Sequence, residues 1–125
     1  MKKGPMMILV AGPYRSGTGD DPAKMAANVE AMQQVALRLF RAGHLPMVGE
    51  SLALPLVELA GSRRVGDEPF NEIFHPIARR LVDRCDACLR MGGPSAGADE
   101  MVALTRAAGR PVYFDPSEIP PCDQT

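Results

Sequence analysis

Short apolar runs alternate with longer segments of helical periodicity along this chain. The run Met6–Ala11 is continuously apolar, which is typical of a strand covered on both faces of a sheet. Asp21 and Pro22 then supply a capping side chain and a proline at the first helical position. Apolar residues recur at helical spacing from there until Gly43. The pattern predicts a first strand followed by one long helix.

The rest of the chain continues this alternation. The segments "HLPMV", "ACLRM" and "PVYF" predict the second, third and fourth strands, and "SLALPLVELAGS" predicts a short helix after the second. A further helix is expected over Phe70–Arg84, with a restart or kink at Pro76. The last helix covers Met101–Ala108 and begins after Ser95. The tail "DPSEIPPCDQT" is rich in proline and is expected to lie on the surface or to fray.

Strands that alternate with helices predict a parallel sheet with helices on both faces. We expect a flavodoxin-like α/β three-layer sandwich of four or five strands in the order 2-1-3-4, with one domain over residues 1–114 and a tail over 115–125. Ligands of such sheets bind beyond the carboxyl ends of the strands, where the strand order reverses. Here that point lies between the loops "GPYRSGTGDD" and "GGPSAGADE", which are also the most glycine-rich stretches of the chain.

Composition excludes several classes of partner. The chain has 46% hydrophobic and 23% charged residues and a net charge of −1, which argues against nucleic acid as a ligand. Its apolar runs fall far short of the roughly 20 residues that a membrane-spanning helix needs. Three cysteines without the spacing of a disulfide framework are typical of a reducing cytoplasm. Cys85 and Cys88 form one Cys-x-x-Cys pair, which supplies too few ligands for zinc. We therefore expect a cytoplasmic protein without a metal, a nucleic-acid partner or a membrane anchor.

The two loops carry residue types that hold phosphate. Ser95 stands at a helix start, where free N–H groups and a partial positive charge favour anions. Arg15 and Ser16 are expected to face that helix start, and a guanidinium suits a phosphate. Neither a Walker loop nor the dinucleotide fingerprint Gly-x-Gly-x-x-Gly is present, which disfavours a nucleotide kinase and an NAD dehydrogenase. Ser95 could equally be only a helix cap, and Arg15 only a solvated loop residue. Glycine allows a ligand to approach the backbone closely, and the candidates are Gly12, Gly17 and Gly97.

Carboxylates near these loops are candidates for chemistry. Asp99 and Glu100 lie in the first turn after Ser95, where the ionised form is favoured. An ionised carboxylate opposite an anomeric carbon can act as a nucleophile and form a glycosyl-enzyme. Acidic residues also favour helix starts for dipole reasons alone, so both interpretations stay open. Tyr14 can hydrogen-bond a neighbouring carboxylate or stack on a base, and Glu50, just beyond the second strand, can reach the cleft edge and contact a sugar or base.

The motif "ILVAGPYR", the long helix after it and the later "DRCDACLRMGGPSAGADEM" resemble the nucleoside 2-deoxyribosyltransferase-like superfamily over residues 6–114. That superfamily includes nucleoside deoxyribosyltransferases and nucleoside 5′-monophosphate N-glycosidases. The resemblance implies a short doubly wound sheet that cleaves or exchanges an N-glycosidic bond without a cofactor. It implies a nucleoside or nucleotide as substrate, and a homodimer or higher homo-oligomer as the assembly.

The same resemblance implies positions for the site. Tyr14, Arg15 and Ser16 match the first loop of the family, and Ser95 and Gly97 match the second. These residues are thereby implied to hold the phosphate or sugar, with Tyr14 positioning the catalytic carboxylate.

The catalytic carboxylate is implied in the last helix. Glu100 is the candidate nucleophile and Asp99 the second choice, although the family's glutamate stands six residues after the serine, where this chain has Met101. Some family members also carry an aspartate ahead of the third strand, at Ala78 here, and either His75 one turn earlier or Asp83 can replace it. The favoured function is N-glycosidic hydrolysis or transfer through a carboxylate nucleophile. The alternative is a non-catalytic nucleotide-binding module of the same fold.

Overall fold

The computed structural model describes residues 4–122, in which one parallel sheet is flanked by helices. Its strands are β1 (Met7–Ala11), β2 (Leu45–Val48), β3 (Ala87–Arg90) and β4 (Val112–Tyr113). Its helices are α1 (Pro22–Arg41), α2 (Gly49–Leu59), α3 (Glu68–Arg84) and α4 (Ala96–Ala107), and a short 3-10 turn follows at Pro116–Glu118. The strand order is β2-β1-β3-β4, so the predicted α/β three-layer sandwich is confirmed. Residues 1–3 of the predicted domain and residues 123–125 of the predicted tail lie outside the described residues.

Side chains of β1 fill both layers of the core because successive residues point to opposite faces of a strand. Ile8 and Val10 belong to a core cluster with Met32 of α1. Leu9 and Ala11 belong to a second cluster, which α3 and α4 cover. Burial on both faces explains why the first strand is a continuous apolar run rather than an alternating one.

The register of the sheet brings three strand ends to one edge. Val10 pairs with Val48 of β2 and with Leu89 of β3. Ala11, the last residue of β1, pairs with Arg90, the last residue of β3. The loops that follow these strands therefore leave the sheet side by side.

The helix starts are built from local capping. The Asp21 side chain accepts a hydrogen bond from the Ala23 N–H, and Pro22 is the first residue of α1, as predicted. Asp67 caps α3. Its carboxylate accepts hydrogen bonds from the Ser62 hydroxyl and from the N–H groups of Arg63, Arg64 and Phe70. These contacts hold the pKa of Asp67 at about 2. The hydrogen bond from the Arg63 N–H lowers this pKa most, and the hydrogen bond from the Ser62 hydroxyl lowers it next. This capping loop starts α3 at Glu68, two residues before the predicted start.

Two further helix boundaries differ from the sequence prediction. α3 does not restart at Pro76, because it continues as one helix from Glu68 to Arg84. A proline inside a helix removes one backbone donor, and the amphipathic packing of the flanking turns holds the helix together. α4 begins at Ala96, directly after its cap Ser95, as predicted, and it ends at Ala107, one residue before the predicted end.

The proline-rich tail lies on the surface, as predicted, but its residues 115–122 are anchored rather than frayed. Ile119 is only 4% exposed and belongs to the core cluster on the α1 side. Buried His44 accepts the Met6 N–H at Nδ1 (3.1 Å), so its Nε2 carries the proton and donates to the Pro120 carbonyl (2.8 Å). Gly43, at φ +97°, lies so close to the Cys122 carbonyl that a Cβ there would clash. The tail therefore closes one layer of the core.

Candidate functional site

The two glycine-rich turns are neighbours at the carboxyl ends of β1 and β3. Gly92, at φ +79°, packs so closely on Pro13 that an added Cβ would lie 2.6 Å from the proline Cδ. The Met91 N–H donates to the Ala11 carbonyl at 2.9 Å and ties the start of the second turn to the end of β1. Both turns line one cavity of about 190 Å³, to which they contribute Gly12, Tyr14, Arg15, Ser16, Ser95, Ala96 and Gly97. Of the predicted loop residues, Gly17 lies outside this cavity and lines a second one beside it.

An aromatic wall from α3 closes the far side of the cavity. Phe74 lies with its ring centroid 5.3 Å from that of Tyr14 and 4.5 Å from that of Phe70, on which it stacks. His75 meets Phe74 edge-on at 5.4 Å and lines the cavity, as does Ala78 one turn later. A wall of this kind suits a planar ring, because aromatic faces stack on one another and exclude water.

Glu50 places a carboxyl group in this apolar surrounding. It lies in the first turn of α2, lines the cavity and is largely buried. Burial raises its pKa from the usual 4.5 to about 7, against the opposing effect of a backbone hydrogen bond. The pKa of Tyr14 is raised too, first by burial and then by the charge of Glu50. Near neutral pH this carboxyl can therefore donate or accept a hydrogen bond.

The N-terminus of α4 faces the cavity from the opposite side. Ser95 is buried, and its Oγ accepts the Ala98 N–H at 3.1 Å, which makes it the helix cap. The N–H groups of Ala96 and Gly97 belong to the first helical turn, where no helical carbonyl can reach them. A Cβ at Gly97 would meet no atom within 4 Å, so the space in front of this turn is open. The helix start thus offers donors and a partial positive charge to an anion.

Arg15 lines the cavity while paired with an acidic neighbour. Its Nε lies 2.7 Å from Asp20 Oδ1, and its Nη2 lies 3.0 Å from Asp20 Oδ2. Both side chains are about half exposed. Solvent screens an exposed pair of this kind and leaves it weak, so a phosphate with two negative charges can recruit the guanidinium from it.

The two acidic residues of α4 are not brought into the cavity. Glu100 accepts a hydrogen bond from Arg79 Nε at 3.0 Å, and Asp99 accepts one from Arg90 Nε at 3.0 Å. Neither lines the cavity, whereas Met101, only 5% exposed, does. One residue corresponds to a rotation of about 100° around a helix, so the position six residues after Ser95 faces inwards and the position five residues after it does not.

No known family model matches this chain, and no curated protein matches it either. The residues of the cavity themselves are therefore the evidence for function. Within residues 4–122, no helix combines the length and the apolar character needed to cross a bilayer. In the same residues, no group of three His, Cys, Asp or Glu side chains is arranged to hold a metal ion.

Sequence reasoning missed two contributors to the site. The spacing of Phe74 predicts only a place on the apolar side of its helix, and nothing in that spacing distinguishes a cavity wall from a core position. An arginine within a doubly covered strand predicts an edge or subunit contact for Arg90, but its side chain is only 10% exposed and folds back over the second turn. Its guanidinium donates to the Met91 carbonyl at 2.5 Å and to the Gly93 carbonyl at 2.8 Å. A charged residue at the end of a buried strand was the available signal for this role.

Replacing Arg90 with alanine is expected to lower the free energy of unfolding by about 2 kcal/mol, because the Met91 and Gly93 carbonyls of the second turn lose two charged donors from a largely buried side chain. The matched control is Asp99→Asn, which removes only the exposed partner and should cost about 0.5 kcal/mol or less. Urea denaturation followed by circular dichroism measures both values. Equal losses for the two variants would show that Arg90 acts only through its surface ion pair.

Proposed function

We propose that this chain binds a nucleoside 5′-monophosphate between its two glycine-rich turns and that α4 supplies no nucleophile. One observation supports the second half of this proposal: Met101 lines the cavity, while Glu100 pairs with Arg79 outside it. A thioether cannot form the glycosyl ester of a carboxylate nucleophile, and it cannot balance the positive charge of an oxocarbenium-like transition state. Binding without glycosidic chemistry from α4 is therefore better supported than a glycosidase that uses Glu100.

The two sides of the cavity suit the two ends of such a ligand. The base would lie against Phe74 and Tyr14, where stacking and exclusion of water favour a planar ring. The phosphate would lie at the start of α4, where the Gly97 N–H and the Ser16 hydroxyl can donate to it. Arg15 would then exchange its exposed partner for the phosphate, since a charge-assisted hydrogen bond to a dianion is stronger than one to an exposed carboxylate.

A second candidate function follows from the carboxyl group inside the cavity. Glu50 has a pKa of about 7, so a large fraction of it is protonated at neutral pH. A protonated carboxyl beside the base can act as a general acid in N-glycosidic hydrolysis. The Glu50 proton would go to the leaving base nitrogen as the bond from that nitrogen to the anomeric carbon breaks. Water would then supply the new oxygen on that carbon, and the proton that it releases would return to the Glu50 carboxylate. In this function Glu50, rather than a residue of α4, would be the catalytic carboxyl.

The cysteines bear on the cellular compartment in which the protein acts. Cys85 and Cys88 are buried in the core, and burial raises the pKa of each thiol to about 11. Both are therefore protonated and poorly reactive at neutral pH. We propose a cytoplasmic location, because three cysteines without the spacing of a disulfide framework are typical of a reducing compartment.

A panel of nucleosides and their 5′-monophosphates tests the proposed function. Calorimetry should show at least about tenfold tighter binding of a monophosphate than of its nucleoside, because only the former reaches the start of α4. Chromatography of the same mixtures should show no free base, and Glu100→Gln should bind the monophosphate as the wild type does.

Three outcomes would separate the candidates. Failure of every monophosphate to bind would contradict the proposal. Release of base that Glu100→Gln abolishes would restore the α4 carboxylate as nucleophile. Release of base that persists in Glu100→Gln and disappears in Glu50→Gln would establish the second candidate.

A further inference from the structure

A second cavity adjoins the first on the outer side of the same two turns. Its volume is about 480 Å³, and it shares Ser16, Ser95 and Ala96 with the first cavity. Asn28 of α1 and Gly93 of the second turn line its far side. The three shared residues therefore form a rim between two hollows, and one ligand can reach both.

The sizes of the two cavities bear on the length of the ligand. Ligand cavities usually measure roughly 300–1,000 Å³. The first cavity, at about 190 Å³, is smaller than that range, and the second is more than twice its size. The second cavity, at about 480 Å³, lies within that range by itself, so a ligand confined to the first leaves the larger of the two adjoining hollows unused.

The chemistry of the rim and of the second cavity differs from that of the aromatic wall. The rim carries the Ala96 N–H at the positive end of α4 and the hydroxyl of Ser16, which suit an anion. The second cavity is lined by glycine, proline, alanine, serine and asparagine side chains. Asn28 is fixed there by the hydrogen bond from its Nδ2 to the Tyr14 carbonyl at 2.8 Å. Within this largely apolar and uncharged lining, the Asn28 amide and the Ser16 hydroxyl suit the hydroxyl groups of a sugar.

We propose that the ligand is a nucleotide whose phosphate is linked to a second sugar, with the base in the first cavity, the phosphates at the rim and the second sugar in the second cavity. A pyrophosphate-linked nucleotide of the ADP-ribose class has this arrangement of parts. The inference rests on the proposed function, because it extends the same site from a monophosphate to a longer ligand.

Two glycines offer a matched pair of variants. An added Cβ would meet no atom within 4 Å at Gly93 or at Gly97, and neither residue has a positive φ. Gly93→Leu places a side chain at the second cavity, and Gly97→Leu places the same side chain at the first. Circular dichroism and thermal unfolding of both variants confirm that each has folded.

Calorimetry with AMP and ADP-ribose as the probes tests the inference. The wild type should bind ADP-ribose at least about tenfold more tightly than AMP. Gly93→Leu should bring the affinity for ADP-ribose to within about twofold of that for AMP, while Gly97→Leu should weaken the binding of both ligands by at least about tenfold.

The failures of the two proposals are distinguishable. If AMP binds and ADP-ribose binds no more tightly, the second cavity is not a subsite and only the present inference fails. The inference also fails if Gly93→Leu retains the full preference for ADP-ribose. If neither compound binds the wild type, the proposed function fails and the inference fails with it.

Discussion

At about pH 8, replacing Glu50 with glutamine is expected to raise the free energy of unfolding by about 3 kcal/mol. The carboxyl of Glu50 is held in an apolar cavity wall, and burial raises its pKa from 4.5 to about 7. Folding therefore takes up a proton between these two values, and wild-type stability falls as the pH rises through this window. Glutamine has nearly the same shape and no charge to bury, so the variant escapes this loss.

Thermal or urea unfolding from about pH 5 to about pH 8 measures this effect. The stability difference between Glu50→Gln and the wild type should increase by about 2 kcal/mol over that range, which corresponds to a shift in Tm of several degrees. Glu100→Gln is the matched control, because Glu100 belongs to an exposed pair with Arg79 and should change stability by about 0.5 kcal/mol or less at every pH. Parallel pH profiles for Glu50→Gln and the wild type would contradict the burial of this carboxyl.

Replacing Ile119 with alanine is expected to lower the free energy of unfolding by about 3 kcal/mol, because the side chain is only 4% exposed and its removal leaves a cavity. Its partners in the core cluster come from the sheet and from α1 and include Leu39 and Val48. Ile119→Val is the graded control and should cost about 1 kcal/mol. Urea denaturation measures both, and a loss below about 1 kcal/mol for Ile119→Ala would show that the tail contributes little to the core.

Much of the fold could be predicted from the sequence because it depends on local patterns. The run Met6–Ala11 has the composition of a doubly covered strand, and Asp21 with Pro22 marks a helix start by side-chain chemistry alone. The alternation of strands and helices then restricts the topology to a parallel sheet with few possible strand orders. The position of Ile119 could not be predicted in this way, because its burial depends on a cluster of residues about 30 to 110 positions earlier in the chain.

The sequence predicts where in the fold the candidate site lies, but not which side chains contact one another there. Strand order and glycine content located the two turns, and most of the proposed loop residues do line the cavity. The direction of Glu100 depends on the rotation of α4 about its axis, which the packing of Met101 and Val102 against the sheet determines. The role of Arg90 depends on carbonyls that only the folded second turn presents to it. Spacing along the chain contains neither kind of information.

The central claim is that the two glycine-rich turns together hold the phosphate of a nucleotide. An NMR titration of isotope-labelled protein with AMP tests it most directly, because each backbone amide reports on its own surroundings. We predict the largest amide shifts in residues 12–17 and 95–98, with further shifts at Glu50 and Phe74. Saturation of the titration without amide shifts in both turns, or with shifts clustered elsewhere on the surface, would contradict the account.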